Sequence, residues 1–224
     1  MELNEAMRTT FSARAFTDDP IPDETLYRIL DNARFAPSGG NRQGWRVMVI
    51  RDSAIRRRLG DLCIPVFRYY RAQVEAGETP YNTVIPTSVD PAVADDIPLG
   101  YPLLEQLGDF SKVPVLLVVA VDLRVVTAFD KDLERIGVIP GASIYPFAWN
   151  ILMGARNEGF GGVLTTFLAH DEPQAQEILG LPPHYAVAAM LPLGRPVKQL
   201  TKLKRNPVES FTTVDRFDGK PFAQ

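Results

Sequence analysis

The chain has 224 residues, 46% hydrophobic and 23% charged, with a formal net charge of −3; this is the composition of a soluble globular protein, and one domain over 1–224 is expected. The mild acidic balance leaves no electrostatic footprint for nucleic acid or an anionic membrane, and no run approaches the ~18 apolar residues of a membrane span. One cysteine and two histidines, His170 and His184, argue against a disulfide framework and a zinc site and favour a reducing, cytoplasmic setting; no secretory signal follows Met1.

In chain order, Pro20 and Pro22 precede Asp23 and Glu24, and Leu26, Ile29, Leu30 and Ala33 then recur at helical spacing up to Pro37. Residues 45–51 (WRVMVIR) read as a strand. Residues 53–62 read as a helix with Ser53 available as its cap, continuing through 75. From 77 to 102, five prolines stand among Thr, Asn, Ser and Asp without any period; this is expected to be an insertion that covers something. The β-branched run at 113–123 has the pattern of a strand buried on both faces, the centre of a sheet. A strongly apolar helix is predicted from 143 to 158, closed by Gly159. A strand or strand end at 163–169, a short helix at 171–180 capped by Asp171 and a strand at 185–194 complete the body. The tail after 200 is first cationic, then carries Phe211, Phe217 and Phe222 with few local partners, so it is expected to lie on another subunit. The order of elements gives an α+β fold with a central sheet.

The stretch APSGGNRQGW (36–45) combines two adjacent glycines with Ser38, Asn41 and Gln43 between a helix and a strand. It can be a turn, a phosphate cradle or a platform for a flat polar ligand. Gly39 and Gly44 have P-loop spacing, yet Trp45-Arg46 stands where Lys-Ser/Thr is required, and the P-loop runs from strand to helix. Residues 159–164 begin like a dinucleotide fingerprint, but Leu164 replaces the third glycine and the stretch precedes a strand. No G-x-S-x-G elbow exists, and neither Ser38 nor Cys63 has a histidine nearby in sequence. Chemistry carried by a cofactor remains.

The motifs S-A-R-A-F (12–16), D-P-I-P-D-E-T-L (19–26), A-P-S-G-G-N-R-Q-G-W (36–45), S-I-Y-P-F-A-W-N (143–150), G-F-G-G-V-L-T-T (159–166) and K-L-K-R-N-P-V-E-S-F (202–211) together resemble the FMN-dependent nitroreductase family, over nearly the whole chain. The resemblance implies a central, mostly antiparallel sheet flanked by helices, in an intertwined homodimer with exchanged C-terminal segments. Non-covalently held FMN would lie at the interface and take electrons from NAD(P)H in a ping-pong cycle. A nitroaromatic, quinone or similar planar acceptor would follow. It also leaves room for dehalogenation, enoyl-type reduction, flavin cleavage or FMN binding without turnover.

Carried over by position, the resemblance assigns Ser12 and Arg14 to the phosphate, ribityl chain and pyrimidine edge, with Lys204 and Arg205 from the tail. Pro37, Ser38, Gly39, Asn41 and Gln43 would pass over the flavin from the other subunit. Leu164, Thr165 and Thr166 would cover one ring face and offer a backbone N–H toward N5. Ala142 and Ser143 would contact the dimethylbenzene or ribityl side by their backbone, and Tyr81 and Tyr101 would line the acceptor pocket. Two positions depart from the pattern: many relatives have a second arginine where Thr10 or Phe11 stands, with Arg8 close by here, and proline where Gly44 stands. Trp45 reads as core.

Overall fold

A computed structural model describes residues 1–98 and 110–223. Labels below number the described elements. Helices α1 (Leu3–Thr9) and α2 (Asp23–Ala33) lead to β1 (Trp45–Ile50), the long α3 (Ser53–Glu75) and β2 (Val115–Asp122). Helix α4 (Tyr145–Asn157), the two-residue β3 (Gly161–Gly162), α5 (Glu172–Leu179) and β4 (Tyr185–Gly194) follow.

The four strands pair antiparallel in the order β1-β2-β4-β3. Every residue of β2 is buried, as its unbroken β-branched run requires of a strand covered on both faces. Helices α2 and α4 cover one face through Leu26, Ile29, Phe147, Ile151 and Leu152. Helix α3 covers the other through Leu59, Cys63 and Phe67, against Leu116, Val118 and Met190. Cys63 is fully buried, and burial pushes its thiol up to about 12.

Several expectations are corrected. Asp52, not Ser53, caps α3: its carboxylate accepts from the Ala54 and Ile55 amides at 2.8 and 2.9 Å, which satisfies two of the donors a helix start leaves open. The expected strand at 163–169 does not form. Beyond Gly162 only Thr165 bridges β4, at Met190, and 167–169 turn into a 3-10 helix. Asp171 makes no capping bond to α5; its carboxylate faces His170 Nδ1 at 3.1 Å. Helix α2 ends at Ala33 rather than at Pro37, and Arg34 to Ala36 form a turn.

The 77–98 segment packs on α3, where the Tyr69 hydroxyl donates to the Val89 carbonyl at 2.9 Å. Tyr101 lies outside the described residues. In the tail, Phe211 and Phe222 are exposed and Phe217 is bare. No helix among the described residues is long and apolar enough to cross a membrane.

Candidate functional site

Two groups of polar residues are built by different means. The first stands on the sheet edge. Ser12 bridges Gly162 in parallel, and Ala13 N–H donates to Gly162 O at 2.9 Å. Gly162 is required here: a Cβ would meet Leu193 and sit 2.5 Å from the Pro192 carbonyl oxygen. The backbone of Thr17 and Val197 then ties the N-terminal stretch to Arg195 and Ala15. Ser12 and Arg14 are left exposed beside the 161–166 turn, and Arg14 reaches only the Ser12 carbonyl, at 3.3 Å.

On the flank of the same N-terminal stretch, Met7, Arg8, Thr201, Lys202, Leu203 and Arg205 line a cavity of about 430 Å³. Gln199 holds the tail there by donating to the Thr9 carbonyl at 3.0 Å. Arg205 donates to the Lys204 carbonyl at 2.8 Å, while the Lys204 side chain does not border the cavity. Among the described residues, Arg8, Arg14, Lys202, Lys204 and Arg205 form no ion pair. Cations that keep no acid partner near one another suit an anion such as a phosphate. Lys202 was missed by sequence reasoning, and Arg8 was noted only as close by. The K-L-K-R run at 202–205 was the available signal, without indicating which side chains face inward.

The 163–166 turn also corrects an expectation. The Thr165 amide is not free to meet a ring atom, because it donates to Met190 O at 2.9 Å while Met190 N–H returns a bond to Thr165 O at 2.8 Å. Thr165 is buried and Leu164 packs on the core, whereas Thr166 is exposed. The Leu164 and Thr166 amides have no partner among the described residues, so the turn's open donors flank Thr165.

The second group is the 36–45 turn, held by backbone bonds from Asn41 N–H to Ser38 O at 2.8 Å and from Arg42 N–H to Gly39 O at 3.4 Å, and by side chains. Gly39 N–H donates to Ser143 Oγ at 3.0 Å, and Gln43 N–H to Ser38 Oγ at 2.9 Å. Arg42 reaches the Gly39 carbonyl and Thr127 Oγ1 at 3.1 and 3.2 Å. Gly40, Asn41 and Gln43 all have left-handed backbone, with φ of 60°, 53° and 50°; Asn tolerates this conformation better than most side chains. Pro37, Gly39, Asn41 and Gln43 are exposed, presenting a flat polar surface. Ser143 therefore acts through its side chain, not only its backbone, and Ala142 is exposed beside it. Trp45 is core-facing, stacked on Phe147 at 4.5 Å with 5° between planes. Gly44 is close-packed, since a Cβ would lie 2.7 Å from Val125.

These groups lie far apart in one chain. Trp45 pairs with Val121, which pairs with Ala186, whereas Gly162 pairs with Leu193. Rows 186 and 193 of β4 are separated by roughly 23 Å at about 3.3 Å per residue. The same order follows from α4, whose 13 residues span roughly 20 Å between the Ser143 end and the Gly161 end.

Near Thr166 a cavity of about 540 Å³ is lined by Tyr70, Pro80, Tyr81, Ile136, Phe167 and His170, among others. Tyr81 and Thr166 both line it. Below Ile136, Asp130 is buried and is held down to about 2, chiefly by accepting the Val138 amide at 2.7 Å, aided by Arg135 and the Ile139 amide. Its carboxylate fastens the 130–139 loop that carries Ile136.

The nitroreductase family model matches residues 7–195, a span that holds both groups except the tail cations. A "NADH dehydrogenase" of Thermus thermophilus is 28% identical over 199 residues, covering 88% of each chain. A "Nitrobenzene nitroreductase" of Ectopseudomonas oleovorans is 26% identical and covers 94% of this chain and 96% of its own. Among solved structures, an NADPH:FMN oxidoreductase from Vibrio harveyi complexed with NAD+ superposes with a TM-score of 0.66 at 21% identity, covering 96% of this chain and 77% of its own. With the sheet order, the glycine-packed edge at Ser12 and the family match in agreement, the chain belongs to the nitroreductase family.

Proposed function

We propose that the protein is an FMN-dependent oxidoreductase that works as a homodimer, accepting electrons from NAD(P)H and passing them to a small planar acceptor. The observation that carries this reading is the separation of the two polar groups. One chain cannot bring the 36–43 turn and the Ser12–Thr166 edge to the same ring, while a second copy can supply the missing half. The exposed aromatics of the tail and the exposed Tyr145 and Trp149 of α4 are apolar surface suited to that contact.

The residues fit FMN by their chemistry. Arg8, Lys202 and Arg205 would take the phosphate, with Lys204 beside them, and Ser12 and Arg14 the ribityl chain and the pyrimidine edge. A guanidinium there stabilises negative charge on that edge. The unpartnered Thr166 amide would donate to the flavin's N5 side, with Leu164 and Thr165 supporting the turn from the core. Pro37, Ser38, Gly39, Asn41 and Gln43 of the partner copy would close over the ring. FMN, when bound, supplies hydride acceptance and donation at N5. The chain's part is to orient the ring, present cations to its electron-rich edge and exclude water with the 77–98 segment.

The test is spectroscopic. Purified protein reconstituted with FMN under anaerobic conditions is expected to bleach on addition of NADPH or NADH and to recolour with a nitroaromatic or quinone. Bound flavin inert to both nicotinamides would refute the reading, and so would failure to take up FMN.

A further inference from the structure

Two cavities meet beside helix α3. One, of about 320 Å³, is bordered by Arg68, Tyr69, Asp95 and Asp171. The other is the 540 Å³ cavity that reaches Thr166, walled by Tyr70, Ile136 and Phe167. Val66, Tyr81 and His170 border both. Tyr81 stands at the junction in left-handed backbone (φ 49°), its amide donating at 3.1 Å to the side chain of Gln73, itself buried. Its ring meets those of Tyr69 and His170 edge-on, at 5.8 and 5.9 Å.

The two lobes differ in chemistry. Around Thr166 the walls are aromatic and aliphatic, with Phe167 packed edge-on against Phe67 and Tyr70 at 5.7 and 6.2 Å. This lobe accepts a flat apolar ring. In the other lobe the tyrosine hydroxyls are already engaged: Tyr69 donates to Val89 O and Tyr81 to Val66 O. Asp171 is turned to His170, and Asp95 is exposed. What the lobe leaves open is Arg68, which borders it and whose guanidinium forms no ion pair among the described residues. A planar guanidinium that borders a cavity without an acid partner matches a carboxylate.

We propose that the two cavities form one bilobed acceptor pocket that selects a planar aromatic carboxylate, the ring in the Thr166 lobe and the carboxylate on Arg68. This rests on the flavin reading above, because Thr166 is what places the ring lobe beside the cofactor. His170 borders the junction with Nδ1 turned to Asp171. Asp95 opposes the carboxylate and limits its affinity.

The test is calorimetric titration of FMN-loaded, oxidised protein with benzoate and with benzamide, which share a ring and differ in charge. Benzoate is expected to bind about tenfold more tightly, the size of one charge-assisted contact. R68M should abolish that preference while leaving benzamide unchanged, R68K should retain part of it, and D95N should strengthen benzoate alone. Equal affinity of the wild-type protein for the two ligands overturns the proposal, as does undiminished benzoate binding by R68M. The wild-type and D95N titrations decide the matter even where R68M does not fold. Protein that takes up no FMN overturns the flavin reading and this proposal together; FMN uptake without carboxylate preference overturns only this one.

Discussion

The Ser12–Gly162 edge and the 36–45 turn present similar polar surfaces, but they are held in place by different forces. At the edge, backbone bonds from Ala13 to Gly162 and between Thr165 and Met190 place the polar groups, so their position is a property of the sheet. In the turn, the backbone bonds are local ones between residues 38 and 42, and the side chains of Ser143, Ser38 and Arg42 add the rest of the holding. The first half is fixed by the fold; the second can be retuned without disturbing the core.

The largest effect that separates the halves is expected from Gly162→Ala. The added methyl meets the Pro192 carbonyl and Leu193, and overpacking of this kind costs about 3 kcal/mol, read as a lowered denaturant midpoint together with lost flavin. A variant that keeps wild-type stability would show that the edge is not fixed by the sheet. Next in size is Arg14→Ala, whose side chain supports nothing but its own neighbour's carbonyl. FMN affinity should fall roughly 10- to 100-fold, the worth of hydrogen bonds to a charged group, with thermal stability of the flavin-free protein unchanged. Unaltered affinity would remove Arg14 from the site. The smallest effect is expected from Ser143→Ala, which leaves the Gly39 amide without its acceptor. About 1 kcal/mol, or roughly fivefold in FMN affinity, should be lost with no change in the denaturant midpoint. A matching loss of fold stability would erase the distinction between the halves.

The same contrast explains what could be read from the sequence. The β-branched run of β2, the alternation of helices and strands and the apolar α4 declare themselves locally, because periodicity is a property of neighbouring residues. The tail's aromatics were legible as unpartnered for the same reason. Thr165 was not legible as a lone bridge, since whether a β-branched residue extends a strand depends on how far its partner runs alongside. Nor was the pairing of Asp171 with His170, where a cap and a side-chain contact compete for one carboxylate. Ser143 holding Gly39 across 104 positions, and Arg8 joining Lys202 and Arg205, are products of tertiary approach with no local signature. Asp52 displacing Ser53 as the cap is the opposite case: a shift of one residue that only backbone geometry settles.

Cys63 gives the molecule a built-in clock. It is the sole sulfhydryl in the chain, lies at 0% exposure between α3 and the sheet, and remains protonated at neutral pH. A thiol reagent therefore meets nothing reactive on the native surface, and alkylation advances only as often as the α3 layer lifts from β2. The rate of that single reaction times the opening of the layer opposite α2 and α4, without a dye, a label or an engineered probe.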